Sequence, residues 1–407
     1  MDNRLKHDSQ PRRSDQQTMT GDNIKSLDAR LSRRYMGRLA ALSAVSALPN
    51  SVVADDDASL LKITSPLPRQ VFQRSGYIAK QSHEHAPGGA RLGHAEVPVR
   101  GQWLFDKPAQ LEARAILQAG CTGHSTEWAS LGKVTPRANF NYSCRIPAGG
   151  WYRLEVRAMS DDGRQLTEAK VDPFGAGELF LIAGQSYAAG ANDEHQKIDD
   201  PLGRSVLYDW VKKAWRTAND PFPHVDTGGT IWPAFANLLQ PMLRVPVGLI
   251  NVAVGGTASR QWMPGEALHQ RILEGGQAIG RFRFVLWQQG ESDVIENIDT
   301  KVYVDRLITI RKSLCQRWGF EPRWLLAKST VHPTVYKKPV QENQIREAID
   351  QLWQKPGFGH GPDTDILTGE NRGGIKSRRH FSPIGQRRAG AMWFASVWPL
   401  LNQETEA

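Results

Sequence analysis

Four short polar stretches hold the residue types from which acyl chemistry is assembled. Gly184-Gln185-Ser186 closes an apolar run, Leu179-Phe180-Leu181-Ile182-Ala183, and leads into Tyr187 and the small residues Ala188-Ala189-Gly190. A serine attacks a carbonyl only if a base takes its proton and donors hold the resulting oxyanion. Donors are offered by Gly255-Gly256-Thr257, where glycines let backbone N–H groups approach an anion closely. Gln288-Gln289-Gly290-Glu291-Ser292-Asp293 adds amide groups and two carboxylates. His380 offers the base: it precedes Phe381, Ser382 and Pro383, and Ser382 suits an N-cap with Pro383 in the first helical position. The positive end of that helix favours the neutral imidazole a general base requires.

Each cluster is ordinary alone, so the elements that carry them decide. Residues 247–253 and 282–287 are apolar runs placed just before the second and third clusters, and residues 324–327 form another. Between such runs, Tyr303, Leu307, Ile310 and Leu314 follow helical spacing, as do Ile345, Ala348 and Leu352. Strands alternating with helices predict an α/β fold over residues 177–402, with a mostly parallel sheet covered on both faces. All the polar clusters then fall at strand ends along one edge. Residues 60–172 read differently: residues 97–101, 111–115 and 151–157 alternate with a period of two between Gly, Pro and Asp turns, which predicts an antiparallel β-sandwich. No internal repeat is visible.

Gly184-Gln185-Ser186 with a late His380-Phe381-Ser382 resembles the SGNH-type hydrolases, in the branch of sialate O-acetylesterases and acetylxylan esterases. Gln289-Gly290-Glu291-Ser292-Asp293 and Gly255-Gly256-Thr257 with Trp262 downstream fit that branch. So do Gly361-Pro362-Asp363-Thr364-Asp365 and the string of residues 65–74, which resembles the start of the β-domain in sialate O-acetylesterases. The resemblance covers most of residues 60–400. It implies an SGNH-like (flavodoxin-like) three-layer α/β/α domain behind an accessory β-sandwich. It also implies that Ser186 is the nucleophile and His380 the base, with the oxyanion held by the backbone of Ser186, Gly255 and Gly256 and by the Gln289 amide. No metal or organic cofactor is implied.

Two departures from the family pattern stand out. Tyr187 occupies a position where relatives usually carry Asn, and Ser377 the position, three residues before the histidine, where they usually carry an acid. Glu291 is therefore expected to supply the carboxylate that orients His380, with Asp365 and Asp293 in reserve. Trp232, Trp262 and Trp287 lie near the expected edge, to stack on sugar or to fill the core. The expected substrate is an acetylated carbohydrate. A protein that binds acetylated glycans without cutting them, and a lipid or aryl esterase on the same scaffold, are the alternatives.

The remaining composition narrows the classes. Of the formal charge of +9, residues 1–54 hold nine Lys/Arg and five Asp/Glu, which leaves +5 on the rest. With no nucleic-acid motif beside it, that mild excess argues against a nucleic-acid partner. Ser32-Arg33-Arg34-Tyr35-Met36-Gly37-Arg38, an Ala- and Ser-rich apolar stretch and Val52-Val53-Ala54 resemble a twin-arginine export signal cleaved near Ala54. The stretch is too short and polar for a permanent anchor, so the expected location is periplasmic or extracellular. Cys121 and Cys144 could pair there, while Cys315 is expected to be buried and free. His83, His85 and His94 read as a solvated loop rather than a metal site. Oligomeric state has no signal.

Overall fold

Period-two alternation governs the first half of the molecule. Strands β1 (Leu61–Ser65), β2 (Val71–Gln73), β3 (His94–Trp103), β4 (Ala109–Leu117), β5 (Ala129–Val134), β6 (Asn139–Pro147) and β7 (Trp151–Met159) lead into β8, the 20-residue strand Gln165–Gly184. β3 sits between β1 and β6 in an antiparallel three-stranded sheet, and β4 sits between β5 and β7, with β7 antiparallel to β8. Alternate residues of these strands point inward: Val97, Val99 and Trp103 from one sheet share a core with Leu111, Ala113, Leu154 and Val156 from the other. The computed structural model describes residues 60–77, 92–223, 227–374 and 378–401. The expected export signal, His83, His85 and Ser377 lie outside the described residues.

β8 crosses the expected junction at residues 172–177 without a break, and its second half changes partners. Residues 174–184 are buried throughout, as a strand covered on both faces requires. After it come α1 (Ser186–Ala189), β9 (Ser205–Asp209), β10 (Ala214–Thr217), α2 (Trp232–Leu243), β11 (Val247–Asn251), α3 (Ala267–Ile279), β12 (Phe284–Gln288), α4 (Glu291–Ile295) and α5 (Thr300–Trp318). The chain ends with β13 (Arg323–Lys328), α6 (Pro339–Trp353), β14 (Phe358–Asp363) and α7 (Pro383–Leu401). The strand order is β10-β9-β11-β8-β12-β13-β14, parallel except for β10. Strands β9 and β11 lie on one side of β8 and β12 to β14 on the other. Chain order therefore reverses at β8, and a crevice opens at its carboxyl end, where Ser186 stands.

The helices follow the spacing read from the sequence. Tyr303, Leu307, Ile310 and Leu314 form the buried stripe of α5, and Ile345, Ala348 and Leu352 that of α6. Ser382 Oγ accepts from Gly385 N at 3.2 Å, which makes it the N-cap of α7. At the amino end of the buried half of β8, Glu178 is gripped by Arg74 at 2.7 Å and Arg283 at 2.8 Å. Those arginines come from the segment after β2 and the segment before β12, so one carboxylate fastens both halves of the molecule.

Two expectations are corrected. Cys121 and Cys144 are free thiols, because Cys144 faces Val97 across the three-stranded sheet while Cys121 lies in the turn after β4, under Trp151 N. His94 begins β3 and is engaged by Ser75 Oγ at 3.3 Å and Arg145 at 3.0 Å, so it belongs to no loop. Strands β9, β10 and β14 carry no clear apolar run in the sequence and were not expected. Among the described residues no helix is long and apolar enough to cross a membrane.

Candidate active site

Three strand ends are laced together at the crevice. Val254 N donates to Gly184 O at 3.0 Å and Gln185 N donates to Gln288 O at 2.9 Å, joining the loops that follow β8, β11 and β12. Gly184 has φ of +129°, and a Cβ there would lie 2.0 Å from Gln288 O, so only glycine permits this closeness. The Gln289 side chain completes the lacing. Its Nε2 lies 3.2 Å from Gln185 Oε1, 3.1 Å from Thr257 O and 2.5 Å from Asp293 Oδ2, while Tyr303 OH donates to its Oε1 at 2.9 Å. An amide with both hydrogens committed braces the three loops and has none to give an oxyanion, contrary to the expectation for Gln289.

Ser186 opens α1 at 7% exposure, at the crevice floor. Among the described residues no protein acceptor takes the N–H of Ser186, Gly255 or Gly256, so these donors are free for a ligand. Gly255 is buried; Gly256 is exposed, has φ of +69° and has open space where a Cβ would stand. This geometry suits an anion entering from the Gly256 side.

His380 reaches the same place from the far end of the chain. Phe381 N donates to Asn192 Oδ1 at 3.1 Å, while Asn192 Nδ2 donates to Tyr187 O at 3.2 Å, which ties the segment carrying His380 to the residue after Ser186. The Tyr187 ring lies 5.2 Å from the His380 ring, edge to face. Its hydroxyl donates to the Arg379 carbonyl at 2.6 Å and receives Arg372 Nη1. Tyr187 thus fills the place of the family asparagine with a buttress for the base. The His380 ring is partly exposed, but its Nε2 is buried and has no hydrogen-bond partner, Ser186 included. Burial first, then Arg379 and Arg372, pulls its pKa down to about 3, so the imidazole is neutral at ordinary pH.

The carboxylates divide into one with spare capacity and two without. Glu291 is fully buried; its Oε1 accepts from Ser329 Oγ at 2.7 Å, and its Oε2 has no partner. Burial pushes this carboxyl up to about 8, with Asp365 nearby adding to the rise and Ser329 and Arg372 opposing it. Asp365 accepts from Thr330 N, Thr330 Oγ1, Val331 N and Arg346 Nε within 2.6–2.9 Å. Asp293 accepts from Ser259 N at 2.8 Å, Ser259 Oγ at 2.5 Å and Gln289. Both reserve acids are saturated braces. Among the described residues no carboxylate, Glu291 included, stands within ion-pair distance of His380.

Sequence reasoning missed His332. It follows β13, as the other clusters follow their strands, and that position is the signal that could have revealed it. Its ring lies 5.6 Å from that of His380 and 6.0 Å from that of Tyr187; it is 8% exposed, and its Nδ1 is buried without a partner. Burial, then His380, Arg379 and Arg372, holds its pKa well below the usual histidine range. The three tryptophans expected at the edge are all 0% exposed. Trp232 packs on Trp393 at 5.7 Å and Trp262 on Trp287 at 5.2 Å, which leaves no face for a sugar. They are core.

Comparison with known proteins agrees with this architecture. Residues 176–398, just over half of the chain, match the family described as carbohydrate esterase, sialic acid-specific acetylesterase. A probable carbohydrate esterase of Arabidopsis thaliana is 33% identical over 164 residues, which cover 33% of this chain and 63% of that protein, under two thirds of its length. The crystal structure of a carbohydrate acetylesterase from Xanthomonas citri superposes with a TM-score of 0.50 at 17% identity, over 83% of this chain and 76% of that one, a likeness of fold. Because that family match spans more than half of the chain, this chain belongs to the carbohydrate esterase family of sialic acid-specific acetylesterases.

Proposed function

We propose that the protein is an exported carbohydrate O-acetylesterase that works through an acyl-enzyme on Ser186. The observation that carries the reading is the crevice floor itself. There Ser186 sits at the β8 switch point with unclaimed backbone donors, and Tyr187, the next residue, packs on the His380 ring at 5.2 Å; His380 Nε2 and Glu291 Oε2 are buried polar atoms that lack partners. Buried polar groups are normally paired, and exceptions gather where a substrate completes the set. Ser186 Oγ attacks the acetyl carbonyl carbon as His380 takes its proton. The tetrahedral oxyanion is met by the N–H groups of Ser186, Gly255 and Gly256. Collapse breaks the ester bond, and the sugar oxygen leaves with the proton from His380. Water, deprotonated by His380, then attacks the acyl-enzyme and releases acetate.

Glu291 is the carboxylate that stabilises the imidazolium. It closes on His380 as substrate binds, since catalytic hydrogen bonds often tighten only in the complex. The β-rich half serves as an accessory sandwich beside a three-layer α/β/α domain, and a twin-arginine signal cleaved near Ala54 delivers the protein to the periplasm or beyond. A glycan binder without turnover is the second reading, favoured by the distance of every described carboxylate from His380. Acetate release from a panel of acetylated glycans, by wild type and Ser186→Ala, separates the two. The esterase reading expects release that Ser186→Ala abolishes; binding without release by the wild type would favour the binder.

A further inference from the structure

Far from Ser186, a cavity of about 260 Å³ opens between the start of β9, the loop ahead of it and the second half of α2. Ser205, the first residue of β9, pairs with Val247, which pairs on its other side with Glu178. Glu178 precedes Gly184 by six residues of strand, so at ~3.3 Å per residue the cavity lies roughly 20 Å from the catalytic edge.

Two side chains on its wall have buried polar atoms with nothing to bond. Ser205 Oγ and Gln240 Nε2 are without partners, on residues 0% and 1% exposed. Burying an amide and a hydroxyl unpaired is unfavourable, and both line the same space, so a polar occupant of that space would satisfy them together.

The other walls describe the occupant. Asp200 is neutralised by Arg204, which reaches it through Nε at 3.0 Å and Nη2 at 2.9 Å. Asp199 is left as the surplus charge, with one oxygen accepting from Asn237 Nδ2 at 3.0 Å. A carboxylated ligand would be repelled by Asp199. A metal ion would find too few ligands, since no group of three or more metal-binding side chains is gathered among the described residues. Pro201, Pro241 and Ala236 supply aliphatic surface. A neutral ring bearing hydroxyls answers all of this: a hydroxyl accepts from Gln240, donates to Asp199 and exchanges with Ser205, while ring C–H groups lie on the prolines. At just under the ~300–1,000 Å³ of drug-sized sites, the cavity suits one ring rather than an oligosaccharide.

We infer that this cavity is a second, non-catalytic site for a single neutral pyranose ring, one that rests on the glycan reading above only for the source of such rings. It holds sugar at the amino end of the sheet while the ester is cut at the carboxyl end. The test is saturation-transfer NMR on the full-length Ser186→Ala protein with methyl β-xyloside, methyl β-glucoside and methyl α-sialoside. The neutral glycosides are expected to receive saturation that the cavity variants lose, while any saturation the sialoside receives at the crevice is expected to be the same in those variants. Gln240→Leu is expected to weaken the neutral glycosides tenfold or more, and Asn237→Ala, at the half-exposed rim, to weaken them about threefold. Hydrolysis of 4-nitrophenyl acetate by Gln240→Leu on a Ser186 background is expected at the wild-type rate, which reports that it folds; if it does not fold, Asn237→Ala decides. No saturation of either neutral glycoside would mean a cavity holding water alone and would overturn the site, as would undiminished saturation in both variants. Failure of the wild type to release acetate would instead strike the esterase reading and leave this site standing.

Discussion

Glu178 and Glu291 are both fully buried on or beside the central strands, yet they lie at opposite ends of the sheet and in opposite states. Burial pushes the Glu178 carboxyl up, but Arg283 and Arg74 outweigh it and hold the pKa at about 2. Glu291 receives one serine hydroxyl, and burial pushes it up to about 8. The first carboxylate is spent on structure, since all its capacity goes to joining the two halves of the chain. The second is held in a state that costs stability and has an oxygen to spare. Groups kept in that condition cluster at functional sites.

Removing each charge should therefore damage a different property. Glu291→Gln keeps the shape and the Ser329 contact but cannot ionise. It is expected to lower kcat by about 10³- to 10⁴-fold, the scale seen when an orienting carboxylate becomes an amide. Its melting temperature should stay level or rise, because a buried acid has been replaced by a neutral group. Full turnover in this variant would remove Glu291 from the mechanism. Glu178→Gln should do the reverse: it strands Arg74 and Arg283, costs ~3–5 kcal/mol in chemical denaturation, and leaves kcat per folded molecule unchanged.

Titration separates the two acids again, and with opposite sign. Glu178 has its pKa depressed from 4.5 to about 2 in the fold. Its contribution is therefore present above pH 4.5 and is lost as pH falls toward 2, for a total of ~3 kcal/mol. Glu291 has its pKa raised from 4.5 to about 8. Its contribution is present below pH 4.5 and is lost as pH rises through 8. Denaturant midpoints from pH 2 to 9 are expected to lose the acid limb in Glu178→Gln and the alkaline limb in Glu291→Gln. Turnover should rise through pH 8 as Glu291 ionises, with no histidine limb near 6.5, because His380 is already neutral there. A wild-type profile that Glu291→Gln leaves unaltered would undo the assignment.

How much of this could be read from the chain depends on where each signal is stored. The β8 run, the strands before Gly255 and Gln288, and the buried stripes of α5 and α6 are local patterns of apolar spacing, and local patterns survive in a sequence. Partnership is not local. Gln289 looked like a free amide donor because nothing near it announces that Asp293, Gln185 and Thr257 use its hydrogens. Trp262 and Trp287 read equally well as sugar platforms or as core, because only the folded chain brings them against each other. His332 was missed for the converse reason: its loop has no glycine or amide cluster to mark it, and its importance comes from meeting His380 and Tyr187 in space. Strand β9 was hidden because polar Ser205 and Asp209 leave only Val206-Leu207-Tyr208 between them, and β14 because Gly359, His360 and Gly361 interrupt its apolar character.

The mildest test concerns Tyr187, which lies between the two regimes. It is buried like Glu178's partners, yet it touches the base. Its hydroxyl donates to the Arg379 carbonyl at 2.6 Å and takes a hydrogen bond from Arg372, while its ring packs on His380. Tyr187→Phe preserves the ring and removes only the hydroxyl, so Arg372 loses an acceptor and the peptide before His380 loses its tether. A buried donor left unpaired costs ~1–3 kcal/mol, part of which should appear in the denaturation midpoint. If the hydroxyl also aims His380, kcat should fall about tenfold while KM stays level, since a misdirected base hurts the chemical step and not substrate capture. A drop in stability with kcat intact would assign Tyr187 to the structural side, with Glu178, and leave the aim of His380 to Asn192 and Phe381 alone.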